Sequence, residues 1–247
     1  MDTAADGSTL NVRTLKRACS TCSLNELCWH PSLSSLDLDR LKNIVRRADN
    51  LPAGGHLFQV GDQFTAIYAV RNGCVKSYTT DANGDEHVHG FHIKGDLLGF
   101  DAVYPERHRC SASIIQNCSV CVMPFDELEE LAAKLPSLQA SIMQLISRTY
   151  SDHLLFPATA QAEQRLCAFL LDLSKRQEKQ GLSPYELDLP MSRVEIASFL
   201  GFTVETGSRM LSKMQKEGLI KVKRRHIYLI DIDRLNHIAT HGLITKH

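Results

Sequence analysis

Three cysteines fall within ten residues near the N-terminus, Cys19, Cys22 and Cys28, spaced C-x2-C-x5-C. Thiolates at that spacing can wrap one centre from a short loop, which is the chemistry of a metal or iron–sulfur ligand set. Three ligands leave a tetrahedral ion or a cuboidal cluster one short, so a distant fourth is expected. The segment is rich in Ser, Thr and Asn and gives the cysteines no apolar core to join. Spacing alone does not choose between zinc and iron–sulfur. Of the remaining cysteines, Cys110, Cys118 and Cys121 sit in strand-like sequence. Cys74 and Cys167 lie in apolar stretches and read as small core residues. Eight cysteines without a secretory leader do not suggest a disulfide framework.

The second group with chemistry lies near the C-terminus. Ser192–Leu200 reads as an amphipathic helix with Ile196, Ala197 and Leu200 on its apolar face. Gly201 follows as a turn, and Thr203 can cap a second helix running to Glu217. A hairpin then spans Val222–Ile230, with Lys223, Arg224 and Arg225 at its tip. Together these predict a helix-turn-helix, about 193–212, with a β wing. On the second helix Val204, Gly207, Leu211 and Met214 fall on the inner face. Glu205, Ser208 and Arg209 fall on the outer face, near the end that enters a major groove. Arg can donate twice to guanine, and Glu can accept from the cytosine amino group.

Those two groups need elements to position them. Leu36–Arg47 reads as a short helix. From Leu51 to Pro124 seven short β segments alternate with Gly, Asn and Asp turns, which predicts a closed or rolled antiparallel β domain. Asp126–Lys134 is a helix with an acidic start. Leu138, Ile142, Leu145, Thr149 and Asp152 then repeat at helical spacing. With no neighbouring helix in sequence to cover it, this stripe is expected to pair with its copy in a homodimer. Pro157 is expected to end or bend that helix. The fold class is thus α+β, in four parts. Residues 1–35 form a cysteine-rich segment, 36–134 a β-roll sensor, 135–157 a dimerisation helix and 158–247 a winged helix-turn-helix domain.

Composition bounds the function. The 28 Lys and Arg balance 28 Asp and Glu. Between Thr203 and His226, however, seven basic residues face two acidic ones, a local basic end suited to DNA. No uncharged apolar run reaches the ~18 residues of a membrane helix. The polar, acidic N-terminus is not a secretory signal, so a cytoplasmic location is expected. No HExxH spacing, nucleophile elbow or phosphate loop occurs, so no enzyme is expected.

The order of β-roll, long helix and winged helix-turn-helix resembles the CRP/FNR superfamily of bacterial transcription regulators. With its N-terminal cysteine spacing the chain resembles the FNR (fumarate and nitrate reduction regulator) branch, the oxygen sensors. The motifs that carry the resemblance are Cys19-Ser-Thr-Cys22-Ser-Leu-Asn-Glu-Leu-Cys28, Gly84-Asp-Glu86, Gly95-Asp-Leu-Leu-Gly-Phe-Asp101, Cys121-Val-Met-Pro-Phe125 and Leu200-Gly-Phe-Thr-Val-Glu-Thr206. The resemblance implies a cyclic-nucleotide-binding-like roll and a [4Fe–4S] cluster held by Cys19, Cys22, Cys28 and Cys121. It assigns base contacts to Glu205, Ser208 and Arg209 on a TTGAT-like inverted repeat. It implies an activator of anaerobic genes that works as a homodimer and touches RNA polymerase, with Asn83-Gly84-Asp85 one such surface. Ser23 and Trp29 are placed to tune exposure of the cluster.

Three departures accompany the resemblance. Gly207 stands where relatives carry a branched aliphatic. The stretch Arg148–Gln161 is about one turn shorter and contains Pro157. Cys110 and Cys118 are extra cysteines near the fourth ligand. Two alternatives keep the same DNA-binding end: a zinc or thiol switch, and a cyclic-nucleotide pocket. The second lacks its chemistry, because Phe100 follows Gly99 and Cys110 separates Arg109 from Ser111.

Overall fold

The computed structural model describes residues 34–41, 43–153 and 160–241. The chain divides into two units. One comprises residues up to Thr79 together with Gly90–Leu145, the other Thr80–His89 together with Ile146–His247.

The first unit opens with α1 (Ser35–Leu41), one turn shorter than expected. Arg46 and Arg47, expected at its end, instead begin β1 (Arg46–Leu51). There follow β2 (His56–Phe58), β3 (Ala66–Thr80), β4 (Glu86–Ile93), β5 (Leu97–Leu98) and β6 (Ser111–Pro124). Helix α2 (Phe125–Lys134) follows β6 directly, and α3 (Pro136–His153) comes next. The sheet order is β1-β6-β3-β4, with β2 paired to β6 and β5 to β3. Four of the expected segments merge into two long strands, β3 and β6. The expected turn at Asn72-Gly73 is a bulge within β3. Gly73 adopts φ +84° opposite β6, where a Cβ would stand 2.4 Å from the Asn117 carbonyl oxygen and 2.6 Å from the Cys118 Cβ. Only glycine lets the strands approach that closely without breaking the ladder.

Strand alternation splits the apolar residues into two clusters. Ala66, Tyr68 and Val70 of β3 join Cys118, Val120 and Val122 of β6 in one, together with Phe58 and Ala48. Ile67 and Ala69 of β3 join Met123 of β6 in the other, with Leu128 and Ala132 of α2 and Leu38 and Leu41 of α1.

In the second unit, α4 (Ala162–Lys179) precedes β7 (Glu186–Asp188), α5 (Arg193–Leu200) and α6 (Val204–Lys216). Strands β8 (Ile220–Lys223) and β9 (His226–Leu229) form the wing, and α7 (Ile232–His241) follows. The wing sheet runs β7-β9-β8, so β7 adds a third strand to the expected hairpin. Local sequence dictates the helix boundaries. Ser192 and Glu195 form a reciprocal capping box at the start of α5. Gly201 ends it at φ 68°. The Thr203 hydroxyl then accepts from the Thr206 amide at 3.2 Å to start α6.

Candidate cluster anchor and nucleic-acid interface

Cys19, Cys22 and Cys28 lie outside the described residues, as do Ser23, Trp29 and Pro157. The cysteines of the β-roll differ in the face they occupy. Cys121 is half-buried and packs against the cluster that receives α1. Cys118 is 3% exposed and sits in the opposite cluster, and Cys110 packs against that same opposite cluster. A ligand must be a thiolate. Burial pushes the Cys118 thiol up to about 11. Burial, reinforced by the neighbouring Asp101 charge, pushes Cys110 up to about 12. The Cys110 thiol lies 3.6 Å from the Asp101 carboxylate, to which it donates. Cys74 and Cys167 are fully buried, as expected of core residues. The N-terminal triplet connects to α1 across a short span, since Cys28 precedes Ser35 by seven residues. That span reaches at most roughly 25 Å at about 3.3–3.6 Å per residue. Among the described residues no three His, Cys, Asp or Glu converge as a metal site, and three of the four expected ligands lie outside those residues.

Within the roll, Asp101 and its neighbours form a small polar group beside Phe58. His108 is buried and stacks on Phe58 with ring centroids 3.6 Å apart. Burial disfavours the Asp101 carboxylate, yet hydrogen bonds from His108 and the Arg109 amide outweigh it and hold its pKa below the usual range. Ser111 accepts from the Val60 amide at 3.1 Å.

At the other end, Glu205, Ser208 and Arg209 are all exposed in the first turns of α6. The inner face of α6 buries Gly207, Met210, Leu211 and Met214. Gly207 has a steric reason here: a Cβ would stand 2.8 Å from Cε2 of Phe202. The ring of Phe202 thus occupies the space a side chain at 207 would need. The first turn of α4 braces both helices. Arg165 Nε donates to the Leu200 carbonyl at 2.7 Å and its Nη2 to the Gly201 carbonyl at 3.2 Å. Glu163 pairs with Lys213 at 3.0 Å. In the wing Arg225 pairs with Asp188 at 2.7 Å, which leaves Lys223 and Arg224 to carry charge at the tip. Arg224 turns the tip at φ 59°.

Helix α3 differs from its expected role in detail. Leu138 is fully buried and Leu145 8% exposed in the core of their own domain, and Ile142 packs against them. Thr149 is half-buried, and the Asp152 side chain lies outside the described residues. The cover is supplied by α1, α2 and one sheet face, which no local sequence pattern announces. A different row of the same helix is exposed: Met143 at 63%, Ile146 at 39% and Tyr150 at 67%. Its spacing of three and four residues is visible in the sequence beside Leu138, Ile142 and Leu145, which pack in the core. Phe202, Glu163 and Arg165 carried no sequence signal, because their role depends on which helix ends meet.

A winged helix-turn-helix behind an antiparallel roll defines a DNA-binding transcription regulator, not an enzyme. Residues 164–238 match the Crp-like helix-turn-helix domain and residues 48–134 the cyclic nucleotide-binding domain. The chain is 40% identical over 226 residues to the fumarate and nitrate reduction regulatory protein of Escherichia coli K12, with 90% of each chain covered. It is equally 40% identical, over 224 residues, to the fumarate nitrate reduction regulatory protein of Klebsiella oxytoca, again covering 90% of each. Among solved structures it resembles FixK2 from Bradyrhizobium japonicum, at 27% identity and a TM-score of 0.68 over 75% of this chain and 93% of that one. The chain belongs to the CRP/FNR family, with the fumarate and nitrate reduction regulatory proteins as relatives. Among the described residues no helix is long and apolar enough to cross a membrane.

Proposed function

We propose that this regulator senses oxygen through a [4Fe–4S] cluster held by Cys19, Cys22, Cys28 and Cys121, and controls anaerobic genes as a homodimer. The observation that carries the reading is the face of Cys121. Alone among Cys110, Cys118 and Cys121, it packs on the cluster that also receives α1, the helix nearest the cysteine triplet. When bound, the cluster supplies oxygen-sensitive iron and sulfide. The chain's own residues do the rest. Cys121 ties the N-terminal segment to β6, and Leu38 and Leu41 seat α1 in the same core. Met143, Ile146 and Tyr150 form the dimer seam on α3, in place of the buried stripe. Each dimer then offers two copies of α6 to a two-fold site with TTGAT-like halves. Glu205, Ser208 and Arg209 read base edges there, and Lys223 and Arg224 meet phosphate. The loop Asn83-Gly84-Asp85 is exposed and available to RNA polymerase.

The test is anaerobic purification with iron and sulfide analysis. A brown protein with about four iron and four sulfide per chain is expected. A colourless protein with stoichiometric zinc would overturn the reading and favour a zinc or thiol switch.

A further inference from the structure

Strand β1 carries a residue that this cluster reading leaves unexplained. Arg47 is the register partner of Cys121 across the β1–β6 ladder. Directly paired residues point to the same face, with Cβ atoms about 4.5–5.5 Å apart. Their neighbours follow the alternation, since Ala48 and its partner Val120 both lie in the opposite cluster. Arg47 is buried, at 8% exposure. Its Nε–H finds no acceptor among the described residues.

A guanidinium is rarely buried without something to bond, because stranding a charged donor costs several times what stranding a neutral one does. Exposed Arg46, one position earlier, points away and bonds Glu127 on α2. An acceptor for the Arg47 Nε–H would be anionic or polar, and the strand face it shares is that of Cys121. A thiolate with the sulfide of a cluster meets both conditions, and the four-thiolate cluster is itself an anion.

We infer that Arg47 is a positioning and tuning residue for the cluster, its guanidinium set on the strand face that carries Cys121. The inference rests on Cys121 being the fourth ligand. The guanidinium orients the Cys121 sulfur, balances the negative charge of the thiolates and stabilises the more reduced form. Hydrogen bonds and net charge at the sulfurs are the protein's main levers on cluster potential.

The test compares anaerobically purified wild type, Arg47→Met and Arg47→Lys. The readouts are iron content, reduction potential and the rate at which visible cluster absorbance decays after addition of air-saturated buffer. Arg47→Met removes charge and donor while keeping much of the apolar stem. It is expected to lower the potential and to speed oxygen-driven decay about threefold or more. Arg47→Lys keeps the charge and should fall between the two. A folded Arg47→Met protein that takes up no iron also supports the inference. If Arg47→Met does not fold, Arg47→Lys decides, by a potential and decay rate that differ from wild type. Variants that match wild type in potential and decay rate overturn the inference. A wild type without iron would instead overturn the cluster reading itself.

Discussion

Cys121→Ala should abolish cluster uptake, and Cys118→Ala, three residues away, should leave it intact. The two positions lie on one strand, at about 3.3 Å per residue. They are therefore about 10 Å apart along β6, and the pleat turns their side chains to opposite faces. A metal–sulfur bond is about 2.3 Å long, so no rotamer of Cys118 bridges that gap. The Cys118 thiol is also raised from 9.0 to about 11 by burial. Two pH units correspond to about 3 kcal/mol of added cost for the thiolate. Cys118→Ala removes one sulfur from a close-packed core and should cost on the order of 1 kcal/mol. In a chain of this size that lowers Tm by about 2–4 °C. The assay is iron and sulfide per chain with visible absorbance, on anaerobic Cys121→Ala, Cys118→Ala and Cys110→Ala. Cys121→Ala should fall to well under about one iron, and the other two should hold about four. A folded Cys118→Ala or Cys110→Ala protein that loses the cluster, beside a Cys121→Ala protein that keeps it, would refute the facing argument.

The DNA end separates two kinds of contact. Arg209→Ala should cost about 1–3 kcal/mol on a TTGAT inverted repeat and little on random duplex, whereas Lys223→Ala with Arg224→Ala should weaken both and flatten the salt dependence by up to about two units of log–log slope; fluorescence anisotropy against salt checks both. Tyr150→Glu places a charge in the proposed seam, where each buried apolar side chain contributes about 1.5–3 kcal/mol. It should weaken the dimer at least about tenfold by sedimentation, while Gln144→Glu, exposed on the same helix but turned away from that row, changes it far less. Gly207→Val should clash with Phe202, lowering both Tm and DNA affinity, and Phe202→Leu should recover at least half of the loss; additive effects in that double-mutant cycle would show that the ring and the glycine are not coupled.

The legible parts of the fold were those set by local chemistry. Gly201 at the turn and Thr203 as a helix cap stand as the sequence suggested, and the Ser192–Glu195 capping box, equally local, starts the helix before them. The basic wing was equally local. What escaped were features decided by distant partners. Asn72-Gly73 has the composition of a turn, yet β6 runs across it and makes it a bulge. Arg46 and Arg47 continue a helical pattern, yet Val122 and Cys121 draw them into a ladder. Leu138 and Leu145 looked unpartnered because α1 lies about a hundred residues earlier in the chain. The same limit applies to the cysteines. Cys19, Cys22 and Cys28 stand out by their spacing, whereas the face that Cys121 occupies depends on strand register and is not visible in the sequence.

That face also connects sensing to assembly. Helix α1 has seven residues, well below the ~12–15 that hold a helix in isolation. It persists through docking. Leu38 and Leu41 enter the core, and Asp37 accepts from the Ser34 hydroxyl at 2.8 Å and from the Ser137 hydroxyl at 3.1 Å. Ser137 is the second residue of α3. The helix that follows the cysteine triplet in sequence therefore bonds the start of the helix that carries the proposed dimer seam. Both also share one apolar cluster with Leu138 and Leu145. On the proposed reading, a tether at Cys121 would favour the docked state of α1 by reducing the entropy of the undocked one. On that reading, release of the tether would loosen α1, and with it the cover over Leu138 and the bond to Ser137. The exposed row Met143, Ile146 and Tyr150 is then presented by a helix whose buried face is less firmly held. On the proposed reading oxygen would not need to reach the seam or the DNA-reading helix, because the state of the thiolates would change how firmly one core is closed.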